Sequence, residues 1–319
     1  MKVPKIAIVT PAYNSLPYIK KCIDSVLLQD FEDWELVISD DCSTDDTVDY
    51  LKTIVDPRIK IFYQEKNLGI FGNLNFAFTK VTAPISQLLC TDDYFYTKEA
   101  LAILVEYWKQ ANQEIGFCRF NFKGAFQKKV IPPIVKYSDA ELLFFSFGNI
   151  PGNLSNVSLR TDIVKEIGWF NPDLPYAGDF DFWVRASRIY NMGIESEVIT
   201  YVRRHPNVAS NYLNKNGEII AQLFTIVQEM YTNLLLKYPE YRFNLKMVAT
   251  NYDVLHRDTA IRLFLKGNRK YYQSLTKEVN KVTFLFAKPL IWLMFIVSFG
   301  GRLFLTTPSK ILLKKVKFI

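Results

Sequence analysis

The first 110 residues alternate between short apolar runs and stretches of helical period, and three of the runs end in a polar or acidic cluster. Ile6-Ala7-Ile8-Val9 leads into Thr10-Pro11, Trp34 to Ser39 leads into Asp40-Asp41, and Ile85 to Cys90 leads into Asp92-Asp93. A further apolar run covers Ile59 to Tyr63. Between the runs, Tyr18 to Leu28 places Ile19, Cys22, Ile23, Val26 and Leu27 at helical spacing. Asp45 to Ile54, Phe71 to Lys80 and Leu101 to Gln110 also read as helices. This order predicts an α/β fold: a mostly parallel sheet with helices on both faces. Ligands of such sheets sit beyond the carboxyl ends of the strands. The segment Thr10 to Asn14, the pair Asp40-Asp41 and the pair Asp92-Asp93 are therefore expected on one edge.

Adjacent carboxylates at a strand end repel each other unless a positive group lies between them. A divalent cation with hard oxygen ligands, Mg²⁺ or Mn²⁺, fits Asp92-Asp93 and keeps positions open for a diphosphate. Asp40-Asp41 is followed closely by Asp45-Asp46, and a carboxylate there suits the imide N–H of a base. Each cluster taken alone reads equally as a solvated turn that caps the next helix.

Past residue 110 the pattern loosens. Gly148 to Asn153 and Asn171 to Pro175 are glycine- or proline-containing loops, and Glu218 to Lys237 and Arg242 to Lys277 read as amphipathic helices. This predicts a helical C-terminal region. Four cysteines, Cys22, Cys42, Cys90 and Cys118, show no metal-cluster spacing and read as reduced thiols. The first residues lack the apolar length of a secretory signal.

The net charge of +7 is confined to one place. Residues 281–319 contain seven basic residues and no acidic one, so residues 1–280 are neutral. That distribution removes the need for a nucleic-acid-binding surface. Between Lys288 and Arg302 lie 13 uncharged residues, about 20 Å as a helix, against a hydrocarbon core of roughly 30 Å. A segment in the interface, anchored by Trp292 with Lys310 to Lys317 on anionic lipid, is expected; a helix buried in the C-terminal region is the other reading.

Taken in order, six strings resemble inverting glycosyltransferases of family 2, with their GT-A fold. They are TPAYN at 10–14, SVLLQDFEDWELVISDDCSTDDT at 25–47, NLGIFGNLNFAF at 67–78, LLCTDDYF at 88–95, PYAGDFDFWVRAS at 175–187 and YVRRHPNVAS at 201–210. The resemblance covers roughly residues 4 to 212 and implies a catalytic domain over 1–212; the periodicity and the charge distribution add a helical region over 213–280 and a membrane-associating tail over 281–319. It implies nucleotide contacts from Thr10, Pro11, Tyr13, Asp40, Asp41, Asn73 and Asp92, with UDP the favoured nucleotide. Asp93 and His205 match the metal-facing positions, and Asp179 matches the general base. Gly152, Asp181, Arg203 and Arg204 are placed on the diphosphate or acceptor side. Tyr176 and Trp183 are candidates for a sugar-facing surface, and His256 is assigned no role.

The implied reaction is a single displacement at the anomeric carbon, with a sugar moving from a nucleotide donor to a growing surface glycan or lipid-linked acceptor. A carboxylate takes the acceptor proton, and a cation stabilises the leaving diphosphate. The implied location is the inner face of a bacterial cell membrane. Three positions depart from the family pattern. Cys90 and Thr91 precede Asp92 where an earlier Asp is common, Gly178 precedes Asp179 where Glu is frequent, and Leu74 stands where some relatives have Arg. A catalytically silent nucleotide-sugar binder would carry the same nucleotide contacts. A nucleotidyltransferase would need a Gly-rich basic loop after the first strand, which TPAYNSLPY lacks.

Overall fold

A computed structural model of the chain describes residues 3–124, 131–205, 215–282, 284–301 and 306–316. The first half alternates as the sequence predicts. β1 (Ile6–Ala12), β2 (Trp34–Asp40), β3 (Ile59–Tyr63) and β4 (Ile85–Leu88) are separated by α1 (Leu16–Leu27), α2 (Thr47–Lys52) and α3 (Gly69–Phe78). Next come β5 (Tyr94–Phe95), α4 (Ala100–Gln110), β6 (Ile115–Phe122), β7 (Ile134–Val135) and α5 (Tyr137–Phe147). β8 (Val157–Arg160), α6 (Ile163–Glu166), α7 (Gly178–Ala186) and β9 (Asn191–Tyr201) complete the sheet region.

The strands form one mostly parallel mixed sheet in the order β3-β2-β1-β4-β8-β6-β9-β5, with β7 on β9. β1 pairs in parallel with both β2 and β4. Its residues Ile6 to Val9 are fully buried, which is why this strand reads as an unbroken apolar run rather than an alternating one. β8 runs antiparallel between β4 and β6, a reversal that the loose sequence pattern past residue 110 does not announce. α1 buries Ile19, Cys22, Ile23 and Val26 of the expected stripe, whereas Leu27 at its end is exposed.

The aromatic excess is mostly core. Phe170 stacks on Phe182 at 4.0 Å and on Phe71 at 5.7 Å, and Phe117 stacks on Trp183 at 5.2 Å. Trp183 is fully buried, so it is a core residue and not part of an exposed sugar-facing surface. This cluster fixes α7 against α3.

The chain divides into two compact units, residues 1–140 with 151–204, and residues 141–150 with 205–319. The second holds α8 (Glu218–Lys237), α9 (Arg242–Leu265), α10 (Lys270–Lys281), α11 (Lys288–Val297) and α12 (Thr307–Lys315). The stretch from 242 to 277 is two helices, because Gly267 takes a left-handed φ of +91° and ends α9. Residues 281–319 belong to the same compact unit as α8 to α10. Ile291, Leu312 and Leu313 are buried, and Trp292 covers the Arg257 guanidinium at 4.7 Å. Leu293, Ile296, Val297 and Phe299 are exposed on the same segment. Among the described residues, Glu218–Lys237 is the one helix long and apolar enough to cross a bilayer, and its Phe224, Val227, Met230 and Leu234 are buried in the unit.

Candidate active site

The carboxyl ends of β1 and β2 are locked together. Pro11 and Ala12 pair in register with Ser39 and Asp40, and the Asp41 N–H donates to the Ala12 carbonyl at 2.8 Å. Asn14 and Cys42 turn the two loops with φ of 45° and 62°, a conformation that Asn tolerates better than most residues. The Asn14 Oδ1 accepts from the Thr44 N–H at 2.7 Å, and the Ser43 Oγ accepts from the Asn14 N–H at 2.9 Å. Asn14 therefore clasps the first loop to the second. The preference of Asn for left-handed backbone was the available signal for it.

Within this edge the expected nucleotide residues divide by what their polar atoms do. Thr10 is buried, and its Oγ1 has no hydrogen-bond partner among the described residues. Pro11 is half-buried, and Tyr13 is 50% exposed at the rim. The Asp40 carboxylate accepts from the Ser43 N–H at 2.9 Å and from its hydroxyl at 2.5 Å, so it holds the turn. Asp41 is buried and accepts from the Leu68 N–H at 2.6 Å. Burial pushes its carboxyl above the ordinary value, and the Asp40 charge adds to that. Asn73 donates to the Ser39 carbonyl at 2.8 Å and accepts from the Ser39 hydroxyl at 2.6 Å. Its amide straps α3 to β2.

The end of β4 lies beside β1, since Val9 pairs with Leu88 and the Leu89 N–H donates to the Val9 carbonyl. Cys90 to Asp93 then form a tight turn closed by the Asp93 N–H on the Cys90 carbonyl at 3.0 Å. Ser155, just before β8, accepts the Cys90 N–H at 2.9 Å through its hydroxyl oxygen. The turn brings one ligand atom each from Cys90, Asp92 and Asp93 within 4.8 Å of one another. Asp92 is half-buried, whereas Asp93 is 1% exposed. One Asp93 oxygen accepts the Arg203 N–H at 2.9 Å, and the other, Oδ2, is buried with no hydrogen-bond partner among the described residues. Burial and the neighbouring Asp92 push the Asp93 carboxyl from 3.8 up to about 7. A buried, unpartnered carboxylate oxygen beside a second carboxylate is a donor set that fits a divalent cation.

Cationic groups gather around this turn. Tyr94 pairs in register with Tyr201 across antiparallel β5 and β9, and their rings stack at 4.9 Å. That pairing carries Arg203 back to Asp93, with its guanidinium 4.8 Å from the Tyr18 ring and 5.5 Å from the Tyr94 ring. Lys21 lies 3.9 Å from the Tyr94 ring. Sequence reasoning missed Lys21 and Ser155. Lys21 is one turn on from Tyr18 and on its face of α1, a spacing visible in the sequence, whereas nothing in the sequence marks Ser155. Arg204 is exposed, and His205 is half-buried and opens the 205–319 segment of the second unit.

Asp179 sits half-buried in the first turn of α7, where its Oδ1 accepts the Phe180 N–H at 2.7 Å. The absence of Glu at 178 has a steric cause: a Cβ on Gly178 would lie 2.6 Å from the Phe71 ring. Phe71 is in the first turn of α3, directly after the Leu68 that binds Asp41, so α7 begins beside the acidic edge. Asp181 does not serve as a partner for Asp179. It pairs with Arg185 at 2.7 Å, and Arg185 donates to the Ile167 and Trp169 carbonyls. Gly152 takes a φ of +75° in the loop that leads to Ser155.

The family model described as Glycosyl transferase family 2 matches residues 7–168. An uncharacterized glycosyltransferase of Haemophilus influenzae is 27% identical over 66% of this chain and 69% of its own length. The Escherichia coli protein WfaP, a UDP-Glc:alpha-D-GlcNAc-diphosphoundecaprenol beta-1,3-glucosyltransferase, is 28% identical over 68% of this chain and 83% of its own. The crystal structure of S. aureus TarS 1-349 in complex with UDP-GlcNAc superposes with a TM-score of 0.56 at 21% identity, covering 72% of this chain and 66% of that one. With half of its length matched by the family model and the fold shared with a solved relative, the chain belongs to glycosyltransferase family 2.

Proposed function

We infer that this chain transfers a sugar, with inversion, from a nucleotide diphosphate donor to a growing surface glycan or lipid-linked acceptor. The observation that carries this reading is Asp93: buried, with an open oxygen, beside Asp92 and next to the acidic edge. UDP is the favoured nucleotide, supported by the UDP-Glc donor of WfaP and by the UDP-GlcNAc bound to TarS.

In this reading Thr10 and Asp41 hold the base, with Pro11 and Tyr13 beside it, while Asp40, Asn14 and Asn73 keep the loops in place. Asp92 faces the ribose and the cation, and Asp93 holds Mg²⁺ or Mn²⁺. A divalent cation bound there would offset the charge that builds on the leaving diphosphate. Arg203 and Lys21 add positive charge on the same side, with Arg204 nearby in sequence. Asp179 accepts the proton of the acceptor hydroxyl as its oxygen bonds to the anomeric carbon and the sugar–phosphate bond breaks. Gly152 lets the acceptor loop turn.

The tail supports a place at a membrane. Exposed Leu293, Ile296, Val297 and Phe299 lie in the same basic segment as exposed Lys310, Lys314 and Lys315. An apolar face with nearby cations suits an anionic bilayer surface. The enzyme then works peripherally on the cytoplasmic face, where lipid-linked acceptors are presented.

A thermal-shift series with UDP-, GDP- and dTDP-sugars tests the donor. A UDP-sugar that raises the melting temperature only when Mn²⁺ or Mg²⁺ is present supports the reading. No shift with any nucleotide sugar, with or without metal, overturns it.

A further inference from the structure

Cys90 presents a thiol beside Asp92 and Asp93, and its backbone is fixed from three sides. The Cys90 N–H donates to Ser155 Oγ at 2.9 Å, and its carbonyl accepts from the Asp93 N–H at 3.0 Å and from the Cys22 thiol at 3.7 Å. The Cys90 sulfur and the Asp92 and Asp93 oxygens lie within 4.8 Å of one another, a spacing that one ion can bridge with sulfur at about 2.3 Å and oxygen at about 2.0–2.2 Å after small side-chain rotations. The independent sign of a ligand is Asp93 Oδ2, which is buried and without a partner among the described residues.

The geometry points to Cys90 as a third ligand of the cation site, making it a mixed thiolate–carboxylate site that prefers thiophilic divalent ions over Mg²⁺. This rests on the metal-site reading above and deepens it. Carboxylates alone suit Mg²⁺ and Mn²⁺, whereas a sulfur donor selects Zn²⁺ or Cd²⁺. On binding, the ion takes the place of the thiol proton, which passes to the buffer, so no redox partner is required. Low Zn²⁺ is then expected to compete with Mn²⁺ in this chain more strongly than in a Cys90→Asp variant.

The test is Cd²⁺ titration of the full chain, followed by the ultraviolet sulfur-to-cadmium charge-transfer band, with Mn²⁺ binding followed in parallel by loss of the free-Mn²⁺ paramagnetic signal. Wild type should show the band. Cys90→Ser should lose it and bind Cd²⁺ on the order of tenfold or more weakly, with Mn²⁺ affinity changed far less. Cys90→Asp should lose the band and gain Mg²⁺ affinity. A Cys90→Ser protein that keeps both band and Cd²⁺ affinity overturns the proposal while leaving the Mn²⁺ site intact. Failure of wild type to bind Mn²⁺ at all overturns the metal-site reading itself. A second measurement needs only wild type: alkylation mapped by mass spectrometry. Cd²⁺ should protect Cys90 and leave Cys42 reactive, and equal alkylation of Cys90 with and without Cd²⁺ overturns the proposal.

Discussion

Asp93→Asn should stabilise the metal-free protein at alkaline pH. The folded carboxyl holds its proton up to about pH 7, whereas the unfolded chain releases it near 3.8. Between those values the folded state binds more protons, so stability is full below 3.8 and falls as pH rises toward 7. Each pH unit in that window costs about 1.4 kcal/mol. From pH 5 to pH 8.5 wild type should therefore lose about 3 kcal/mol relative to the carboxamide variant, whose side chain does not titrate. For a protein of this size that is a melting difference of about 5–10 °C. The assay is thermal unfolding of both proteins in chelator from pH 5 to 8.5, with the difference between the two curves plotted. Saturating Mn²⁺ should reverse the order, stabilising wild type by about 2.7 kcal/mol at a hundred times Kd and the variant much less. A difference that stays flat across the pH range refutes the claim that burial and Asp92 hold Asp93 in a strained charge state.

Other positions give separate tests. Glu35 is buried and accepts hydrogen bonds from Lys60 at 2.6 Å, Thr82 N–H at 2.6 Å and Ala83 N–H at 2.8 Å. Burial pushes its carboxyl up, but these donors outweigh it and hold it below the ordinary value. Its stabilisation is present above the unfolded value and is lost as pH falls through the folded one, and Glu35→Gln should cost about 2–3 kcal/mol at pH 7 by denaturant titration. Asn14→Ala removes the clasp on the Thr44 N–H and should weaken UDP binding, measured calorimetrically, more than it lowers the melting temperature. Reversing Lys310, Lys314 and Lys315 to Glu should weaken binding to anionic vesicles by at least about 3 kcal/mol, roughly a hundredfold, and unchanged flotation with the vesicles would remove the tail from membrane contact.

How much of this was legible before the structure depends on the length scale of the signal. The four parallel strands announced themselves because a doubly covered strand must be apolar throughout, as in Ile6 to Val9. The acidic edge followed from strand direction alone. Reversed β8 was not legible, because antiparallel insertion depends on long-range pairing and leaves no local period. The polar residues of the edge were found, but their division of labour was not. Asp40, Asn73 and Asp181 carry the residue types of ligands, yet their polar atoms are engaged by Ser43, Ser39 and Arg185. Trp183 looked like a sugar platform and is core. Arg203 was legible from its motif, but its approach to Asp93 depends on the Tyr94–Tyr201 register, which joins segments more than a hundred residues apart. The +7 charge was located correctly in residues 281–319, although Leu312 and Leu313 are buried within the second compact unit.

The central claim, that a carboxylate in the first turn of α7 removes the acceptor proton while the acidic edge holds the donor, is tested most directly with Asp179→Asn. Release of UDP from a UDP-sugar in the presence of acceptor and Mn²⁺ is measured beside donor binding for wild type and variant. Turnover should fall by about 10²–10⁴-fold with the donor dissociation constant unchanged. Turnover close to wild type in Asp179→Asn, with donor binding intact, would contradict it.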